Sequence, residues 1–79
     1  MTRLSDAPHL YNQPINIRLN GKTTSTQAAT IAALVEELRL NPRQVAMERN
    51  REIVPRSTYG EAALCEGDVI EVVAFVGGG

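Results

Sequence analysis

The sequence predicts a small α+β domain, a mixed β-sheet with one main helix packed across one face. Three observations predict it. Apolar and polar residues alternate from Ile15 to Asn20 and again from Val45 to Arg49, the period of a half-buried strand. Ile31, Leu34, Val35 and Leu38 recur at i, i+3, i+4 and i+7, the stripe of an amphipathic helix. Val69 to Val76 is apolar except for Glu71, the pattern of a strand that is central or buried on both sides. A chain of 79 residues has room for one such domain.

Taken in order, Met1 to Pro14 is polar, carries Pro8 and has no periodicity. It is expected to be an extension that is disordered or loosely laid on the surface, with the domain running from 15 to 79. Ile15, Ile17 and Leu19 form the inner side of the first strand. Asn20-Gly21 is the signal of a two-residue turn with positive φ at both positions. Lys22 to Thr26 returns as a polar strand suited to a sheet edge. Thr30 is the expected N-cap of the helix, and Asn41-Pro42 its expected end, because Pro42 forces the residue before it out of the α region. Val45 and Met47 mark the inner side of the next strand. Asn50-Arg51-Glu52 reads as a turn. Ile53-Val54 is a very short edge strand cut by Pro55. Ser57 to Leu64 reads as a loop with one helical turn, capped by Ser57 or Thr58, with Tyr59 and Leu64 packed inward. Glu66-Gly67-Asp68 turns the chain into the last strand. A hairpin, a crossover helix and a central last strand make a ubiquitin-like β-grasp, with the first and last strands side by side and parallel.

Composition removes several function classes. Eight basic residues against nine acidic ones give a net charge of -1, which argues against a nucleic-acid binder driven by phosphate charge. Trp is absent, and Phe75, Tyr11 and Tyr59 do not make a base-stacking platform. No apolar run is long enough to span a membrane. One cysteine and one histidine, Cys65 and His9, form neither a disulfide nor a Cys/His metal site. A reducing, cytoplasmic setting follows. The charges cluster: arginines at 39, 43, 49, 51 and 56, and carboxylates at Glu61, Glu66, Asp68 and Glu71. This is either ordinary solvated surface or an acidic face beside the tail that steers it to a basic partner.

No catalytic constellation is present. His9 has no partner groups, and a role for Cys65 as nucleophile is disfavoured by the adjacent Glu66, so a packed thiol is the better reading. What remains is the end of the chain. Val76 leads into Gly77-Gly78-Gly79, a thin arm with no side chains, ending in an α-carboxylate. Three glycines are poor strand and cannot form core, and the bland reading is a frayed end. Their direct attachment to the most apolar strand favours function. From Phe75 the arm can reach at most ~14–18 Å. A carboxylate is a poor electrophile until activated, for example as an acyl-adenylate, and glycine leaves its carbonyl open to an enzyme. The domain would then be a substrate or carrier rather than an enzyme.

Val45-Ala46-Met47-Glu48-Arg49-Asn50-Arg51-Glu52-Ile53-Val54-Pro55-Arg56-Ser57-Thr58-Tyr59, then Leu64, Gly67-Asp68 and the terminal Gly-Gly, resemble the sulfur-carrier (ThiS) family of thiamin thiazole biosynthesis. Leu19-Asn20-Gly21 and the Leu34 to Leu38 helix fit the same pattern. The resemblance covers residues 15 to 79 and implies a carrier cycle. A ubiquitin-activating-type adenylating enzyme uses ATP and magnesium to adenylate Gly79. Sulfur from a cysteine desulfurase persulfide converts it to a thiocarboxylate. Thiazole synthase takes that sulfur. Gly78 and Gly77 serve as the arm that threads into the partner, and the carrier itself binds no cofactor and is a monomer when free. The extension before residue 15 is longer than usual for the family.

Two other readings share parts of this pattern. The small subunit of molybdopterin synthase has the same fold and tail, but usually carries prolines just before its terminal glycines, where this chain has Ala74-Phe75-Val76. A ubiquitin-like interaction module has a tail that never reacts. Phe75 and Val76 are the expected partner contacts next to the tail, the competing reading of Phe75 being that it closes the core.

Overall fold

The computed structural model describes residues 13–75. The expected extension therefore lies outside the described residues, apart from Gln13 and Pro14, which are exposed and in no regular element.

Five strands and one helix follow in the order β1 (Ile15–Leu19), β2 (Lys22–Thr26), α1 (Ile31–Glu37), β3 (Val45–Arg49), β4 (Glu52–Val54) and β5 (Val69–Ala74). The strands make one sheet in the order β2-β1-β5-β3-β4. β1 and β5 are parallel neighbours, with Arg18 opposite Val69 and Leu19 opposite Ile70, while the other pairs are antiparallel. This is the expected mixed-sheet β-grasp, with the last strand at its centre.

The turns follow from their residues. Asn20 and Gly21 join β1 to β2 at φ 49° and 82°, and Asn50 and Arg51 join β3 to β4 at φ 52° and 73°. Positive φ at both central positions gives a turn whose twist matches that of the strands it joins.

One side of the sheet carries the core. Ile17, Ile31, Leu34, Met47, Leu64 and Ile70 are fully buried there, with Val35, Val45, Val54 and Tyr59 close behind. Thr30 caps α1 as expected: its Oγ1 accepts the Ala33 N–H at 3.1 Å. Two further N–H groups of the first turn are satisfied from the loop before β5, Ile31 by the Ala62 carbonyl and Ala32 by that of Tyr59, both at 2.9 Å. Thr26 is buried, donates to Glu37 Oε1 and accepts the Ala28 N–H, tying the end of β2 to the end of α1.

Three local expectations are corrected. The helix stops before Asn41-Pro42. Arg39 adopts φ 58°, its N–H bonds the Glu36 carbonyl, and the Leu40 N–H bonds that of Val35. That pair of bonds around a left-handed residue is a Schellman stop, and Pro42 instead opens a 3-10 turn, Pro42–Gln44, capped by the Asn41 side chain. Neither Ser57 nor Thr58 caps the later turn. It is a 3-10 turn, Arg56–Thr58, entered from Pro55 with no side-chain cap bond, and Thr58 Oγ1 donates to the Pro55 carbonyl. Finally, of the two readings of β5, the central one holds and burial on both faces does not: Ile70 is buried, whereas Val69 and Val73 are exposed, because the one helix among the described residues covers one side of the sheet.

Candidate functional site

β5 carries the chain to its glycines, so its last residues determine where the arm departs. β3 accompanies β5 to the end, with Val45 opposite Ala74, and the Phe75 N–H donates to the Gln44 carbonyl at 2.8 Å. β1 stops much earlier. Its last paired residue, Leu19, lies opposite Ile70, and beyond it only Asn20 reaches β5, accepting the Val72 N–H on Oδ1 at 2.8 Å. Ala74 and Phe75 thus have a strand neighbour on one side only among the described residues. Phe75 is 55% exposed and does not close the core. Val76, Gly77, Gly78 and Gly79 lie outside the described residues.

Among the described residues the face of the sheet opposite α1 is uncovered; it is polar over β1 and β2, where Arg18 stands beside Val69, and largely apolar over β5, β3 and β4. Its alternation is set by the inward residues Ile70 and Val72 on β5, and Val45 and Met47 on β3. The residues between them point outward. Ala46 stands opposite Val73, and Glu48 stands between Glu71 on β5 and Ile53 on β4. Ile53, Val69, Val73 and Phe75 are the exposed large hydrophobic residues among those described, and by this alternation they share one face. The surface so formed is an apolar strip crossed by two carboxylates, running toward the tail. Scattered surface apolar residues need no explanation, but a contiguous set is the mark of an interface.

The carboxylates near one another in sequence do not make an acidic face at the tail. Glu66 and Asp68 sit in the turn at the far end of β5. There Glu66 Oε1 accepts the Asn16 N–H at 3.0 Å, and Asp68 accepts the Cys65 N–H at 2.9 Å and the Asn50 side-chain amide at 3.2 Å. They shape the turn. Of the carboxylates between Glu66 and the tail, Glu71 is the one that lies on the face opposite α1, beside Glu48. Cys65 is half-buried beside this turn.

Sequence reading missed Glu48, Val73 and Ile53 as surface groups of this face. The signal was present in Glu71, the one charge in an apolar run, which marks the solvent side of the strand and therefore of Val69, Val73 and Phe75 with it.

Among the described residues no helix is long and apolar enough to cross a membrane. The ThiS family pattern matches residues 10–79. The chain is 43% identical over 65 residues to the sulfur carrier protein ThiS of Bacillus subtilis, covering 80% of this chain and 98% of that one. It is 48% identical over 62 residues to a thiazole synthase of Paramagnetospirillum magneticum, covering 77% of this chain but 19% of that protein. A second thiazole synthase, from Magnetococcus marinus, is matched over 20% of its length, so the chain spans about one fifth of these two relatives. The crystal structure of the thiamine biosynthesis protein ThiS from Geobacter metallireducens superposes with a TM-score of 0.71 at 28% identity, covering 82% of this chain and all of that one. By the extent of these matches the chain belongs to the ThiS family, the β-grasp sulfur carriers of thiamine biosynthesis.

Proposed function

We propose that Gly79 is the residue that carries sulfur, and that the chain delivers it to a thiazole synthase. The observation that supports this best is that the family pattern runs through residue 79, so the glycine arm lies within the matched stretch. The cycle needs two chemical steps on one carbonyl. In a ubiquitin-activating-type enzyme, with ATP and magnesium, the Gly79 carboxylate attacks the α-phosphorus, and pyrophosphate leaves. A persulfide sulfur supplied by a cysteine desulfurase then attacks the carbonyl carbon and expels AMP. Cleavage of the resulting S–S bond by a second thiol leaves the thiocarboxylate. The chain's own contribution is access. Gly77 and Gly78 carry no side chain that would block a narrow channel, and the arm of ~14–18 Å lets the domain dock outside while Gly79 reacts within.

The bare sheet face is the docking surface in this reading, with Phe75 and Val76 as the contacts next to the arm. Partnership with thiazole synthase is supported by relatives in which a domain like this one is part of a thiazole synthase chain. The carrier works in the cytoplasm and is a monomer when free.

The test is to incubate the protein with an adenylating enzyme of this pathway, ATP, magnesium and a persulfide donor, and to weigh the intact chain. Replacement of one oxygen by one sulfur, lost on deletion of Gly79, is the expected result. An unchanged mass would leave an inert ubiquitin-like module as the better reading. Supplying the thiocarboxylate to thiazole synthase and to molybdopterin synthase separates the two possible destinations.

A further inference from the structure

A second surface lies on the helix side of the sheet. Between α1 and the two 3-10 turns is a cavity of about 250 Å³, lined by Ala32, Val35, Pro42, Arg43, Arg56 and Tyr59. Its walls are fixed by bonds already described. The Ala32 N–H is held by the Tyr59 carbonyl, and the Arg43 N–H by Asn41 Oδ1, both at 2.9 Å. Val35 and Tyr59 are buried. The interior is therefore apolar, while Arg43 and Arg56 are exposed at its rim.

Neither of those guanidinium groups makes a hydrogen bond or ion pair with another described residue. Arg49 does otherwise, donating to the Ala63 carbonyl at 2.6 Å. Two guanidiniums with no partner among the described residues, beside an apolar hollow, are matched by an apolar side chain with carboxylates next to it. The fork of an arginine fits a carboxylate with two parallel bonds, and a neutral or cationic segment would leave both charges unanswered. The volume is below the ~300–1,000 Å³ of typical small-molecule sites and suits one or two side chains of a peptide.

We propose that this cavity docks an acidic segment of a partner protein, with a leucine or aromatic side chain inside and flanking carboxylates on Arg43 and Arg56. The cavity and the bare face lie on opposite sides of the sheet, so a protein held here leaves the bare face and the tail unobstructed. The carrier could then be tethered while its arm reacts elsewhere. The proposal does not depend on Gly79 chemistry.

The probe is a short peptide with a Leu-Phe pair flanked by aspartates, titrated into the isotopically labelled full chain while amide resonances are followed. Saturable shifts at Ala32, Val35, Arg43, Arg56 and Tyr59 are expected, with affinity falling about tenfold in Arg43→Glu/Arg56→Glu and in the milder Arg43→Gln/Arg56→Gln. Versions with lysines for the aspartates, or glycines for the Leu-Phe pair, should not bind there. The proposal is overturned by shifts confined to the bare face, by undiminished binding in folded variants, by equal binding of the control peptides, or by no shifts at millimolar peptide. Thiocarboxylate formation should be unchanged in the Gln variant, which separates this site from the carrier reading.

Discussion

Asn20 and Asn50 grip the last strand from opposite sides. Asn20 Oδ1 accepts the Val72 N–H at 2.8 Å on the flank of β1, and Asn50 Oδ1 accepts the Val69 N–H at 2.9 Å on the flank of β3. Each also donates its own N–H to β5, Asn20 to Ile70 and Asn50 to Val69. Both have positive φ in two-residue turns. One residue type therefore meets two needs: it tolerates the left-handed turn, and its side chain extends the ladder one step past the strand's end.

Glycine and alanine at position 20 separate those roles. Asn20→Gly keeps the backbone free to adopt positive φ but loses the acceptor for Val72, and should cost ~0.5–1.5 kcal/mol. Asn20→Ala loses the acceptor and meets the left-handed penalty as well, and should cost ~1 kcal/mol more. Urea unfolding measures both. Equal losses in the two variants would mean that the side-chain bond alone matters.

At position 39 the same physics predicts a gain. Arg39 holds φ 58° at the Schellman stop of α1, where glycine is the usual residue. Arg39→Gly relieves the backbone at the cost of a looser unfolded chain, for a net stabilisation of ~0.5–1 kcal/mol. A lower urea midpoint would show instead that the arginine side chain contributes more than its backbone costs.

These residues also show what the sequence discloses. Alternation at Ile15–Leu19 and Val45–Arg49, the helical stripe and Asn20-Gly21 are local patterns, and each predicted its element. The stop at Arg39 was hidden, because arginine does not announce a left-handed residue and Pro42 offered a more obvious break. Whether β5 was central or buried on both sides stayed open because a run of valines looks the same whether one helix or two cover the sheet. Among the described residues one helix does so, and Glu71 was the local clue. Arg43 and Arg56 come together only because the β3–β4 hairpin folds back, which no local pattern encodes.

Burial separates two large-to-small substitutions. Leu34 is 0% exposed under α1, so Leu34→Ala should cost ~2–5 kcal/mol and leave so small a domain mostly unfolded in urea. Phe75 is not in that core. Phe75→Ala should change stability by less than ~0.5 kcal/mol while lowering adenylation efficiency about tenfold, the effect of removing an aromatic anchor from an interface. Unchanged adenylation with a lower melting temperature would remove Phe75 from the docking surface.

Glu48 and Glu71 provide the sharpest test of the bare face. They are direct cross-strand neighbours, and like charges in that register are destabilising. Their placement among apolar residues makes sense if a partner's cationic side chain covers both carboxylates, since complementary charge sets register and encounter rate. Glu71→Lys replaces repulsion with attraction, so the isolated domain should gain up to ~1 kcal/mol. Docking should weaken at the same time, seen as a raised KM for the carrier in adenylation with kcat unchanged, the mark of lost binding rather than lost chemistry. Added salt should raise the KM of the natural chain and have less effect on the variant. A variant that is more stable and has an unaltered KM would place the partner's contact elsewhere on the domain.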